Sequence, residues 1–153
     1  MITRRALLGI FAVLATHCSS PPPPPVLTLT VIGGFDQNPG PTGKPLPVAV
    51  RLYQLNAPAK FERSDVDALT APEREQPTLG SESQGSEELF PPFRPGETRV
   101  VTRELKKGVQ FVGIAVLFHD IDKASKWRAV APVAASGPTK LTLKINGLSA
   151  TLT

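Results

Sequence analysis

Apolar and polar residues alternate with a period of two along much of this chain, the pattern of half-buried β-strands. Leu27, Leu29 and Val31 alternate with Thr28 and Thr30 and stop at Gly33-Gly34. Val48, Val50 and Leu52 alternate with Ala49, Arg51 and Tyr53. Arg99 to Leu105 is more polar, as a strand with one wet face would be. Val109 to Phe118 is nearly continuous in apolar residues, as expected of a central buried strand, and Trp127 to Val133 forms a further run. Leu141, Leu143 and Ile145, then Leu148, Ala150 and Leu152, flank Asn146-Gly147, a hairpin signal because both turn residues tolerate positive φ. One helical insert is predicted. Ser64 supplies a cap oxygen three residues ahead of Asp67, Ala68 and Leu69 continue the turn, and Pro72 ends it. Residues 72–97 are rich in Pro, Gly, Ser and Glu and read mainly as loop. Seven strands joined by turns predict an all-β, two-sheet β-sandwich with a small helical insertion.

Composition supports one domain. The chain has 153 residues, 41% hydrophobic and 20% charged, which is near the globular norm and excludes wholesale disorder. Its 17 prolines disfavour a helical bundle, since each proline inside a helix costs about 3 kcal/mol. No internal repeat is visible.

The N-terminus reads as an address. Arg4 and Arg5 precede Ala6 to Ala15, an apolar stretch well short of the roughly 20 residues of a membrane-spanning helix. That is the layout of a secretory signal peptide over residues 1–17. Cys18, the only cysteine, follows at once and cannot form an internal disulfide. Its position suggests a bacterial lipoprotein whose thiol receives a diacylglyceryl group and which becomes acylated after cleavage; the plainer alternative is an ordinary signal with an incidental cysteine. His17 and Leu14 depart from the usual lipoprotein signal. Residues 18–25 then form a proline-rich tether, Pro21 to Pro25 spanning roughly 15 Å as polyproline II, and residues 26–153 form the sandwich. Loss of the signal takes two arginines away, so the net charge falls from +4 to about +2. With one Trp and one Tyr among scattered basic residues, no nucleic-acid partner is expected.

Catalytic chemistry is thin. His119 is the only histidine outside the signal, and Asp120 and Asp122 beside it suit an ordinary turn better than a metal, so no metal site is expected. Ser83 sits in Gly80-Ser81-Glu82-Ser83-Gln84-Gly85, which lacks the glycine spacing of a nucleophile elbow. A hydrolase centred on Ser83 and His119 is therefore a weak alternative, and the chain is read as a non-enzyme without a small-molecule substrate or cofactor. A periplasmic ligand- or glycan-binding sandwich is the other alternative, poorly served by Tyr53 and Trp127 alone. The most informative loop runs from Gly33 to Pro47, where Phe35 stands amid polar residues and four prolines limit the loop's freedom.

Asn38-Pro39, followed by Gly43-Lys44-Pro45-Leu46-Pro47-Val48-Ala49-Val50-Arg51-Leu52-Tyr53-Gln54-Leu55, resembles the TssJ (VasD-like) family of type VI secretion lipoproteins. Phe61, Asp65, Ala68-Leu69, Thr78-Leu79-Gly80, Pro95-Gly96-Glu97, Val112-Gly113-Ile114-Ala115, Phe118 and Trp127-Arg128 extend the resemblance over almost all of the mature chain. The resemblance implies a transthyretin-like sandwich and a lipid anchor on Cys18 in the outer membrane, facing the periplasm. It also implies binding to the periplasmic domain of the inner-membrane protein TssM and, through it, an indirect link to TssL. The loop between the first two strands is implicated in that contact, so Phe35, Asp36, Gln37, Asn38 and Pro39 are the expected partner-binding residues.

Overall fold

A computed structural model describes residues 20–153; the signal segment and Cys18 lie outside the described residues. Among the described residues eight strands are formed, one more than the pattern predicts: β1 (Pro25–Gly33), β2 (Val48–Leu55), β3 (Ser83–Phe93), β4 (Thr98–Glu104), β5 (Phe111–Leu117), β6 (Arg128–Pro132), β7 (Gly137–Asn146) and β8 (Ser149–Leu152). Three short helices, α1 (Ala59–Arg63), α2 (Val66–Thr70) and α3 (Pro72–Leu79), lie between β2 and β3. The strands make two four-stranded sheets, ordered β4-β1-β7-β8 and β3-β2-β5-β6. Pairing is antiparallel throughout except between β1 and β7.

Alternation puts the core where the period-two reading places it. Leu27, Leu29 and Val31 of β1 and Val48, Val50 and Leu52 of β2 face inward with Val112, Ile114 and Val116 of β5. β5 is apolar on both faces because the helices cover its outer side. There Tyr53, Leu55, Phe61, Leu69, Leu79 and Ala115 form a second, smaller core. Gly113 makes that seat possible: a Cβ at this position would stand 2.8 Å from the Phe61 ring.

Residues 72–97 are the main departure. They form α3, a 3-10 turn (Gly80–Glu82) and the edge strand β3, not a loop. Pro72 ends α2 and opens α3 at its first turn, where the missing N–H costs nothing. β3 carries little alternation signal because it buries little, only Leu89 and Phe93 at depth. Its Pro91 and Pro92 sit at an irregularity where Val48 pairs with Phe93 and Val50 with Leu89, on an edge strand that tolerates missing donors. The helix start is one residue later than Ser64. Asp65 is the cap, accepting from Ala68 N–H at 2.7 Å, while Ser64 Oγ donates back to Lys60 O. The β7–β8 hairpin forms as predicted, but its two loop residues are Gly147 and Leu148, since Asn146 still pairs with Ser149. Gly147 takes φ 52°, the first-position requirement of a type II′ turn.

The proline run is not a free spacer to its end. Pro25 is buried as the first residue of β1, paired with Gly137. The chain thus enters at one end of the sandwich, here the proximal end. At the distal end lie the β1–β2 loop, the β3–β4 turn, the β5–β6 connection and the β7–β8 turn. No helix among the described residues is long and apolar enough to cross a membrane.

Candidate functional site

The β1–β2 loop is fastened to the distal end by its own polar residues. Gly34 N–H donates to Ile145 O at 2.6 Å, and Asn38 N–H to Gly147 O at 2.8 Å. Gln37 is fully buried; its Nε2 donates to Phe93 O at 2.8 Å and Leu46 O at 3.2 Å. Its Oε1 is buried with no donor among the described residues. Asn38, 3% exposed, donates through Nδ2 to Pro47 O at 2.8 Å and accepts from His119 N–H at 2.6 Å. One side chain thereby ties the loop's exit to the β5–β6 connection. Farther out, Pro39 bridges Pro45, and Gly40 and Gly43 close a turn, with Gly40 N–H donating to Lys44 O at 2.9 Å.

Five residues singled out from the sequence therefore divide by burial. Phe35 is 85% exposed and Asp36 is exposed, Pro39 is half-buried, and Gln37 and Asn38 are interior supports. Phe35 lies across the β3–β4 turn: a Cβ on Gly96 would stand 2.5 Å from the ring's Cε1. Gly96 also takes φ 76°, so a glycine is required there twice over. The same turn is braced by Glu97, whose carboxylate accepts from Arg94 N–H at 2.8 Å and from Arg99 Nη2 at 2.8 Å. Those contacts, the Arg94 backbone first, hold its carboxyl below the usual glutamate range. Arg99 stacks over Phe93 at 4.1 Å and donates to Pro91 O at 2.7 Å, covering the carbonyls of the β3 edge. Sequence reading missed Gly96, Glu97 and Arg99 as loop supports; the Pro95-Gly96-Glu97 turn was the available signal.

Ser83 and His119 are not brought together. Ser83 pairs with Leu55 at one end of β2, and Leu117, just before His119, pairs with Ala49 at the other. Six strand residues separate the two levels, about 20 Å. Ser83 Oγ instead accepts from Gly85 N–H at 3.2 Å. Asp120 pairs with Lys123 at 3.2 Å, and no group of three metal-ligating side chains converges among the described residues.

A cleft of about 420 Å³, absent from the sequence reading, separates the helices from the β5–β6 connection. Arg63, Asp65, Asp122, Trp127 and Arg128 line it. Arg128 stacks on Trp127 at 4.8 Å and donates to Phe61 O at 3.0 Å and to Ser64 O, which pins the helical insertion to β6.

A two-sheet sandwich with a small helical insertion is the fold shared with solved type VI secretion lipoproteins. The family model described as Type VI secretion lipoprotein, VasD, EvfM, TssJ matches residues 25–148, and the chain belongs to this family. Among solved structures it is similar to the T6SS lipoprotein TssJ1 from Pseudomonas aeruginosa, at 28% identity and TM-score 0.77, covering 86% of this chain and 96% of that one. A chain of a Type VI membrane complex matches at 27% identity and TM-score 0.72, covering 84% and 98%. A chain from the structure of the T6SS protein TssM C-terminal domain from EAEC matches at 26% identity and TM-score 0.70, again over 84% and 98%. Serratia marcescens Lip, a membrane-bound component of the type VI secretion system, shares the fold at 16% identity and TM-score 0.74, covering 85% and 96%. No curated protein sequence matches.

Proposed function

We propose that this protein is a non-catalytic structural lipoprotein of the type VI membrane complex. Acyl groups on Cys18 hold it in the outer membrane, facing the periplasm, and its distal loop binds the periplasmic domain of TssM, which links it indirectly to TssL. One observation carries the reading: the β1–β2 loop is rigidly mounted at the end of the sandwich opposite the chain's entry, and it presents an exposed aromatic, Phe35. A loop already held by Gln37 and Asn38 loses little entropy on binding, and an exposed ring on a rigid mount is the usual form of an interface anchor. Membership in the family and the similarity to a chain of a type VI membrane complex support the partner class. In this reading Phe35, Asp36 and Pro39 touch the partner, while Gln37 and Asn38 position them.

Calorimetric titration against a TssM periplasmic fragment tests the assignment. Phe35→Ala is expected to weaken binding by roughly 30-fold or more, the loss that defines a hot-spot residue, without lowering stability. Unchanged affinity would remove Phe35 from the contact.

A further inference from the structure

The proximal end carries features that the distal loop does not use. Pro21 to Pro24 are exposed, yet the run does not lead freely away. Gly137 N–H donates to Pro23 O at 3.3 Å and Pro24 O at 3.2 Å, and Leu105 N–H donates to Pro25 O at 2.8 Å. From Cys18 to Pro23, the first restrained residue, the chain spans at most about 18 Å when fully extended. Beside this exit the β4–β5 turn presents Lys106 and Lys107, both exposed, with Lys106 Nζ donating to Gln84 O and Lys107 extending along the proline run. The turn is firmly held. Lys106 N–H donates to Gln54 Oε1 at 2.8 Å, and Gln84 Nε2 donates to Lys107 O at 3.1 Å and Asn56 Oδ1 at 2.6 Å. Lys107 and Glu104 line a groove of about 350 Å³ along the proline run. Glu82, a carboxylate at this end, accepts from Lys60 N–H at 2.8 Å.

We propose that this end of the sandwich rests directly on anionic phospholipid headgroups, with Lys106 and Lys107 as the contacts. The inference rests on the lipid-anchored reading above and adds an orientation to it. The short leash lets the proximal end reach the headgroup layer, where surface potentials act over about 8 Å and hold it once it is there. A tethered lysine pair then selects the pose that brings it to negative charge. The sandwich stands upright on the membrane, and β1, nine residues long, carries the β1–β2 loop about 30 Å away from the lipid.

The test uses the full chain coupled through Cys18, its single cysteine, to a maleimide lipid, so the attachment point is the same whether or not cells acylate it. Lysine acetylation is followed by mass spectrometry on vesicles of phosphatidylcholine alone and of phosphatidylcholine with phosphatidylglycerol. Lys106 and Lys107 are expected to react about fivefold more slowly on the anionic vesicles, while Lys44 in the distal loop keeps its rate. Equal rates on both vesicles, or slowing at Lys44 instead, would overturn the orientation. Mass spectrometry of Cys18 in the exported protein reports separately on the anchor, so the two readings fail independently.

Discussion

At Asn38 the backbone turns left-handed, with φ 48°, the only non-glycine residue among those described to do so. Asparagine bears this conformation better than most residues, and here its amide also joins Pro47 O to His119 N–H. Replacing it with alanine removes both bonds, leaves a partly buried carbonyl and amide unpaired, and keeps the unfavourable φ. Asn38→Ala should therefore lower stability by about 2–3 kcal/mol in urea unfolding. It should also weaken partner binding by loosening the mount of Phe35. Asn38 and Gln37 show where sequence reading is blind. Two polar residues in a polar, proline-rich loop look like surface contacts. Only the fold reveals that the carbonyls of Phe93 and Pro47 need their donors.

The helical insertion behaves as a unit with its own small core. Phe61 is its center: fully buried, 4.9 Å from the Tyr53 ring and seated over Gly113. Tyr53 Oη in turn donates to Leu69 O at 2.9 Å, and burial pushes its phenol above the ordinary value. Phe61→Ala should cost about 3–5 kcal/mol. Hydrogen exchange should speed up first in α1 to α3, with the β1 and β7 amides still protected. Equal loss across both sheets would mean that the insertion and the sandwich fold as one body. The insertion's presence was readable from Ser64 to Leu69, because a capping oxygen followed by apolar residues is a local signal, although the cap itself is Asp65. α3 and β3 were not readable. Both are polar, and their place is set by contacts from afar, such as Arg51 with Glu75 at 3.2 Å and Ser86 at 2.9 Å.

For the whole molecule, function in this reading depends on two ends held apart. β1 runs between them, entering beside the proximal lysines and leaving into the distal loop, so the anchor and the contact face cannot collapse onto one another. The sandwich is closed along one side by the Lys126–Ser149 bridge between the sheets. Along the other, Arg103 pairs with Glu87 at 2.7 Å across the β4 and β3 edges. Cys18→Ser should move the exported protein from the membrane fraction to the soluble periplasmic fraction, because loss of acyl chains removes most of the membrane affinity. The lysine pair alone is too weak to retain it. Fractionation followed by immunoblotting checks this outcome, and a variant that stays with the membrane would show that something other than Cys18 holds it.

Period-two alternation by itself marked β1, β2, β7 and β8, since strands buried on one face must repeat every second residue whatever their neighbours are. The sandwich class, the β7–β8 hairpin and the helix near Asp65 follow from local rules of this kind, and the stretch from Gly43 to Leu55 carried the family. Tertiary structure decided the rest. It turned a supposed loop into α3 and β3, drew Pro25 into the first strand, and divided five loop residues into two that show themselves and two that hold, with Pro39 between. Those outcomes depend on hydrogen-bond partners and covering surfaces distant in sequence, and no local pattern records which carbonyl a side chain will meet.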